Sequence, residues 1–216
     1  SDGGYVIGGS TASFGSGSDD IYIVKLDANG DTMWTKASGT PASEKGYSIQ
    51  QTADNGYIVG GTNGSMYLNK LDVNGVSVWA KSYGGSFNDE GHSVQETSGN
   101  GYILAGFTAS NGAGGNDVYL VKTNSTGDII WASTFGGTGN DEGYSLDQTS
   151  DGGYIVCGKT NSFGAGNADV YLLKVSSSGS LQWSKTYGDT ANDEGRSVVQ
   201  TTDGGYILTG YTESFG

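Results

Sequence analysis

The chain reads as short apolar segments set between small polar turns. GYSLDQT from Gly143, GYIVCGKT from Gly153, DVYLLKV from Asp169 and LQWSKTYG from Leu181 are rich in β-branched and aromatic residues. Such side chains suit a pleated, half-buried surface. Asp-Gly, Asn-Gly and Ser-Gly pairs between them predict turns. The continuous apolar runs Ile21-Tyr22-Ile23-Val24 and Val118-Tyr119-Leu120-Val121 predict strands covered on both faces. Apolar spacing of three and four never persists long enough for a helix. The pattern predicts an all-β chain.

The segments repeat. The turn-plus-strand phrase returns as SDGGYVIGG at Ser1, DNGYIVGG at Asp54, GNGYILAG at Gly99, SDGGYIVCG at Ser150 and TDGGYILTG at Thr202. Its tyrosines, Tyr5, Tyr57, Tyr102, Tyr154 and Tyr206, are 52, 45, 52 and 52 residues apart, the short interval reflecting a loop trimmed after Thr62. Tyr22, Tyr67, Tyr119 and Tyr171 mark a second phrase, each followed by a lysine (Lys25, Lys70, Lys122, Lys174), and Trp34, Trp79, Trp131 and Trp183 mark a third. The fourth, EGxS, starts at Glu90, Glu142 and Glu194, with KGYSI at Lys45 as its variant. Four-strand units of this length stacked around an axis describe a β-propeller. The expected organisation is one domain over 1–216: a partial blade 1–41, blades at about 45–86, 90–138 and 142–190, and closing strands 194–216. We favour a four-bladed closed ring, in which the inner strand near Arg196 pairs with the opening partial blade. A fragment or half of a larger ring is the alternative.

KLDANGDTMW, KLDVNGVSVW, KTNSTGDIIW and KVSSSGSLQW each carry a Gly four residues before the Trp. This resembles the tryptophan-docking segment of quinoprotein-type propellers, where a turn glycine precedes a Trp that packs on the neighbouring blade. The whole repeat resembles more closely the bacterial and archaeal β-propeller repeats of large secreted and cell-surface proteins. That resemblance covers the entire chain and implies fold; it implies no activity. A quinone-dependent dehydrogenase is disfavoured, because the chain has few blades and lacks the active-site features of those enzymes.

Composition narrows the functions. A formal charge of −13 and a sequence pI near 4.1 argue against a phosphate-binding surface and hence against nucleic acid. No apolar run suits membrane insertion. A lone cysteine, Cys157, gives no internal disulfide and no CxxC metal knuckle, and a lone histidine, His92, gives no His-rich zinc site. The sequence starts at Ser1 without a signal sequence, so it looks like part of a longer protein. The sequons at Asn63 and Asn124 are compatible with secretion, and an extracellular or cell-surface location is expected.

Candidate chemistry gathers on one rim. The phrase NDEG at Asn88, Asn140 and Asn192 joins one blade to the next, and the loops holding Asp19-Asp20, Asn116-Asp117 and Asn167 with Asp169 open on the same face. Asp89, Asp141 and Asp193 are weak calcium candidates; turn formation is the competing reading, and we take it. Residues identical in every repeat most economically serve the repeated unit, so function is sought where the repeats differ. The position after EG holds Tyr47, His92, Tyr144 and Arg196, a candidate ligand site at the channel mouth; the competing reading has them plug the channel. His92 lacks a GxSxG serine or a Cys–His signal to make it a catalytic base. Cys157 reads as a small buried thiol, the tryptophans as core, and the strand lysines as stems laid over the next blade with wet ammonium groups. The expected protein is a non-catalytic binding module for a protein or glycan, in adhesion, recognition or display, with no resident cofactor. The alternatives are a carbohydrate-active enzyme at the channel mouth and an architectural, self-associating repeat.

Overall fold

The computed structural model describes residues 3–214; residues 1–2 and 215–216, the outermost parts of the opening phrase and of the closing strands, lie outside the described residues. Among the described residues seventeen strands form five antiparallel sheets, each in chain order. The first is β1 (Tyr5–Thr11), β2 (Asp20–Leu26) and β3 (Thr32–Ser38). Three four-stranded sheets follow: β4 (Lys45–Gln51) to β7 (Ser77–Tyr83) through β5 (Tyr57–Thr62) and β6 (Met66–Leu71); β8 (Asp89–Glu96) to β11 (Ile129–Phe135) through β9 (Tyr102–Thr108) and β10 (Asp117–Thr123); and β12 (Asp141–Gln148) to β15 (Leu181–Tyr187) through β13 (Tyr154–Thr160) and β14 (Asp169–Val175). The last is a hairpin of β16 (Asp193–Gln200) and β17 (Tyr206–Thr212).

Successive sheets stack face to face, β1 on β4, β5 on β8, β9 on β12 and β13 on β16. The inner strands β4, β8, β12 and β16 also touch in series. That series explains two repeated polar residues. Ser48, Ser93 and Ser145 accept the backbone N–H of Val94, Leu146 and Val198 in the next sheet, at 3.1, 3.2 and 3.3 Å. Gln50, Gln95 and Asp147 do the same for Glu96, Gln148 and Gln200. Inner strands too far apart for a shared ladder are stitched by side chains, which satisfies backbone donors that would otherwise be stranded.

Apolar cores lie between the sheets. Ile103, Leu120, Tyr154, Val156 and Leu173 fill one; Ile58, Leu68, Tyr102 and Leu104 another; Ile21, Ile23, Tyr57 and Val59 a third. The indoles are half-buried at the outer margin of these cores, rather than inside them. Trp34, Trp79 and Trp131 each lie on the turn glycine of the following sheet: a Cβ added to Gly75, Gly127 or Gly179 would meet the ring at 2.9, 2.8 and 2.7 Å. These glycines also have φ of +74°, +77° and +84°, so both close approach and backbone require the missing side chain.

Two expectations change. First, β16 does not reach the opening sheet: it pairs with β17, while β1 pairs with β2. The four-bladed closure is therefore not formed. Thr201–Gly205 is a tight connection, with Thr201 N–H donating to the Gly205 carbonyl at 2.9 Å, and a short loop costs far less entropy to close than one spanning the chain. Second, the strand lysines are not wet. Lys25, Lys70 and Lys174 are buried; Lys70 Nζ lies 2.9 Å from the turn carboxylate of Asp54, Lys174 Nζ 2.9 Å from Asp151, and Lys122 Nζ donates to Thr97 Oγ1. A buried ammonium needs such acceptors, and the turn before each second strand supplies one.

Candidate functional site

The pairing of each inner strand with its neighbour slips by one residue at the same place: between Gly46 and Ser48, Gly91 and Ser93, Gly143 and Ser145, and Gly195 and Ser197. Tyr47, His92, Tyr144 and Arg196 are the extra residues of these four β-bulges. A bulge takes its residue out of the pleat alternation and re-aims the side chain. The glycine before each bulge gives room: a Cβ on Gly91 would meet Leu104, and one on Gly195 would meet Cys157 and Val170.

The bulge residues form one row. The rings of Tyr47 and His92 are stacked, 5.1 Å apart and tilted by 22°. His92 meets Tyr144 edge to face at 5.5 Å and 86°. The guanidinium carbon of Arg196 is 4.4 Å from the centre of the Tyr144 ring and 5.9 Å from that of Tyr211. Phe107, 5.8 Å from His92, and Tyr211 come from the second strands, opposite the glutamates of EGxS. Those two were not singled out in the sequence, although their position varies between repeats (Thr62, Phe107, Lys159, Tyr211) and variation was the available signal.

Charge lines the row. Glu142 accepts Tyr144 Oη at 2.7 Å and Asn116 Nδ2 at 2.9 Å, with Lys159 Nζ at 3.5 Å. Lys159 also lies 3.9 Å from Glu194, which pairs with Arg196. Burial pushes the Glu142 carboxyl up, but these donors outweigh it and hold the group below its ordinary range. Burial and then Glu142 push the Tyr144 hydroxyl well up, and burial and then Glu90 raise that of Tyr47. Burial lowers the His92 imidazole against the opposing pull of Glu90 and Glu142. Its Nε2, 3.7 Å from Glu90, is too far for a hydrogen bond.

The acidic rim does a different job. Asp89 takes the Thr108 hydroxyl, the Ser110 hydroxyl at 3.1 Å and the Gly85 N–H at 3.0 Å. Asp141 takes Gly137 N–H at 2.8 Å and Ser162 Oγ at 2.5 Å; Asp193 takes Ser214 Oγ at 2.5 Å and Asp189 N–H at 3.2 Å. Each carboxylate holds its own loop, and the three are not brought together. Among the described residues no three His, Cys, Asp or Glu side chains gather as metal ligands. Cys157 is fully buried, and burial pushes its thiol up to about 12, the setting of a packing group.

Stacked antiparallel sheets with bulged inner strands define a β-propeller fold, and comparison with known proteins agrees. A protein of unknown function from Bacteroides caccae superposes with a TM-score of 0.57 at 12% identity, over 94% of this chain and 63% of that one. The WD40 β-propeller domain of Doa1 superposes with a TM-score of 0.58 at 15% identity, over 93% of this chain and 60% of that one. At these identities the likeness is one of fold. No family model matches. A curated relative, the regulatory protein FlaEY of Caulobacter vibrioides, is 27% identical over 114 residues, 47% of this chain and 12% of that protein. The chain thus spans under two thirds of each of these structures and a small part of the curated relative.

Proposed function

We propose that the chain is a non-catalytic recognition module of an extracellular or cell-surface protein, binding a protein or glycan ligand across Tyr47, His92, Tyr144 and Arg196. The single observation that carries this reading is the row itself: four bulges, one in each sheet that has an inner strand, aim two tyrosines, a histidine and an arginine along one row. The repeated serine and the Gln or Asp two residues on stitch one inner strand to the next, whereas the bulge residue varies. Ring faces and a guanidinium, flanked by Glu90, Glu142 and Glu194, suit a sugar ring or an aromatic or cationic peptide side chain. Glycoside cleavage calls for two carboxyl groups with their pKa values driven apart, one raised to act as acid. Glu142 is held low by its donors, the wrong direction for the proton-donating member of such a pair.

Titration against panels of oligosaccharides and peptides, read by tyrosine fluorescence and by mass, tests this. Saturable retention that is lost in Tyr144→Ala and Arg196→Ala, with the ligand recovered intact, is the expected result. Binding indifferent to both changes, or a ligand recovered cleaved, would overturn it.

A further inference from the structure

A buried carboxylate stands at the entry to each inner strand: Glu44, Asp89, Asp141 and Asp193. At three of these entries a second buried carboxylate arrives from the preceding sheet. Asp20 meets Glu44, Asp117 meets Asp141 and Asp169 meets Asp193, each pair across one glycine. A Cβ on Gly39 would lie 2.2 Å from Asp20 Oδ1 and 2.7 Å from Glu44 Oε2. One on Gly136 would lie 2.2 Å from Asp117 Oδ1 and 2.6 Å from Asp141 Oδ2, and one on Gly188 2.2 Å from Asp169 Oδ1 and 2.6 Å from Asp193 Oδ2. Each pair thus faces one small cradle that a single methyl group would fill.

Hydrogen bonding does not account for these pairs. Asp20, Glu44, Asp117 and Asp141 are at most 2% exposed, and among the described residues no lysine or arginine pairs with any of them. Asp20 Oδ2 takes the N–H of Ser16 and Gly17 at 3.0 and 3.2 Å, and Glu44 Oε2 takes that of Thr40 at 2.9 Å. Asp20 Oδ1, the oxygen turned towards Glu44 across the cradle, is buried without a hydrogen-bond partner, and so is Asp141 Oδ1. Buried carboxylates with no countercharge are expensive.

The remaining entry is an internal control. The loop trimmed after Thr62 places Met66 opposite that threonine, where Asp20, Asp117 and Asp169 stand opposite Thr11, Thr108 and Thr160. No second carboxylate meets Asp89 at its glycine: the atoms nearest a Cβ on Gly84 all belong to Asp89 itself. Its Oδ1 takes the Thr108 hydroxyl, and its Oδ2 takes Ser110 Oγ and the Gly85 N–H. Where the long loop and the second carboxylate are missing, both oxygens find donors.

We propose that each pair, Asp20 with Glu44, Asp117 with Asp141 and Asp169 with Asp193, holds one calcium ion that clamps the loop of one sheet to the next. A charge of +2 balances two carboxylates, and a hard cation takes oxygen ligands, with neutral oxygens completing the roughly six to eight that calcium accepts. An irregular set of loop oxygens suits calcium, whereas magnesium demands a near-ideal octahedron. The clamp also bears on the row of bulge residues: Asp141 lies three residues before Tyr144, and Asn116, next to Asp117, donates to Glu142.

Calorimetric titration of the chelator-treated chain with calcium up to about 10 mM, above the roughly 10⁻⁴–10⁻³ M range of weak extracellular sites, tests this. Melting curves are recorded in calcium, in magnesium at equal ionic strength and in chelator, and they confirm that each variant folds. Saturable calcium binding is expected, with a melting temperature that rises by at least about 3 °C for each tenfold excess over saturation. Asp117→Asn should remove one equivalent of bound calcium, and Asp89→Asn none. Gly136→Ala keeps every charge but fills the cradle, and should also remove one equivalent. Absence of both heat and thermal shift overturns the proposal and leaves each pair to share a proton. So does a shift that magnesium reproduces in full, which is screening of the net charge of −13. A calcium count unchanged by Asp117→Asn and Gly136→Ala, or lowered equally by Asp89→Asn, overturns it as well.

Discussion

Arg196 lies flat over Tyr144, its guanidinium carbon 4.4 Å from the ring centre, while pairing with Glu194. One side chain thus caps the row and neutralises a buried carboxylate. Arg196→Ala should cost about 1–2 kcal/mol, combining a partly exposed cation–π contact with a carboxylate left to Lys159 alone. Arg196→Lys should recover the charge but not the flat contact, and so fall between the two in a urea melt.

Tyr144→Phe removes one of the donors that hold Glu142 low, leaving burial less opposed. The Glu142 carboxyl is then expected to titrate at a higher pH than in the wild type, as followed by carbon NMR of the glutamate side chains. A Glu142 curve unmoved by the change would show that Asn116 and Lys159 suffice.

Acid stability should depend on the turns that carry Asp54 and Asp151. Thr52, Lys70 and the Gly56 N–H hold the Asp54 carboxyl down at about 2, and Thr149, Lys174 and the Gly153 N–H hold Asp151 lower than its ordinary value. For a depressed carboxyl the contribution is fully present above the unfolded value, about 3.9, and is lost as pH falls through the folded one. Melting temperature should therefore drop between about pH 4 and pH 2. Asp54→Asn and Asp151→Asn should each flatten that slope while lowering stability at pH 7. Both carboxylates are exposed, so solvent screening keeps each effect small.

Gly179 and Gly30 occupy equivalent turns with φ of +84° and +89°, yet only Gly179 lies under an indole. Alanine at either position pays the left-handed backbone cost of about 1–2 kcal/mol. At Gly179 it also drives into Trp131, adding about 1–3 kcal/mol of overpacking. In dilute solution Gly179→Ala should thus destabilise clearly more than Gly30→Ala, and equal losses would show that the contact with Trp131 contributes nothing.

Much of this fold was written in the sequence, because each repeat states the same strand order and each turn carries its glycine. The row of variable residues was also legible, through the disagreement of Tyr47, His92, Tyr144 and Arg196 at one position of a shared phrase. What the phrase did not announce is that this position is a bulge, since a one-residue slip depends on pairing across strands. The burial of Lys70 was missed for a related reason: its acceptor, Asp54, lies 16 residues away. Ring closure was misjudged because β1 and β17 are near-copies, and sequence alone does not say which of two equivalent strands β16 takes.

Cys157 offers a probe of the stack that leaves the row untouched. Its thiol is fully buried and shifted up to about 12, and it packs beside Gly195, where an added Cβ would come within 3.3 Å of the cysteine Cβ. Labelling by a disulfide reagent at pH 8 therefore has to wait for β13 and β16 to part. The native rate should be slower than the denatured rate by at least about a thousandfold, as for a group exposed only by substantial unfolding. It should rise in step with urea through the same transition that fluorescence reports. Fast labelling of the folded chain would mean that the final hairpin opens independently of the sheets behind it.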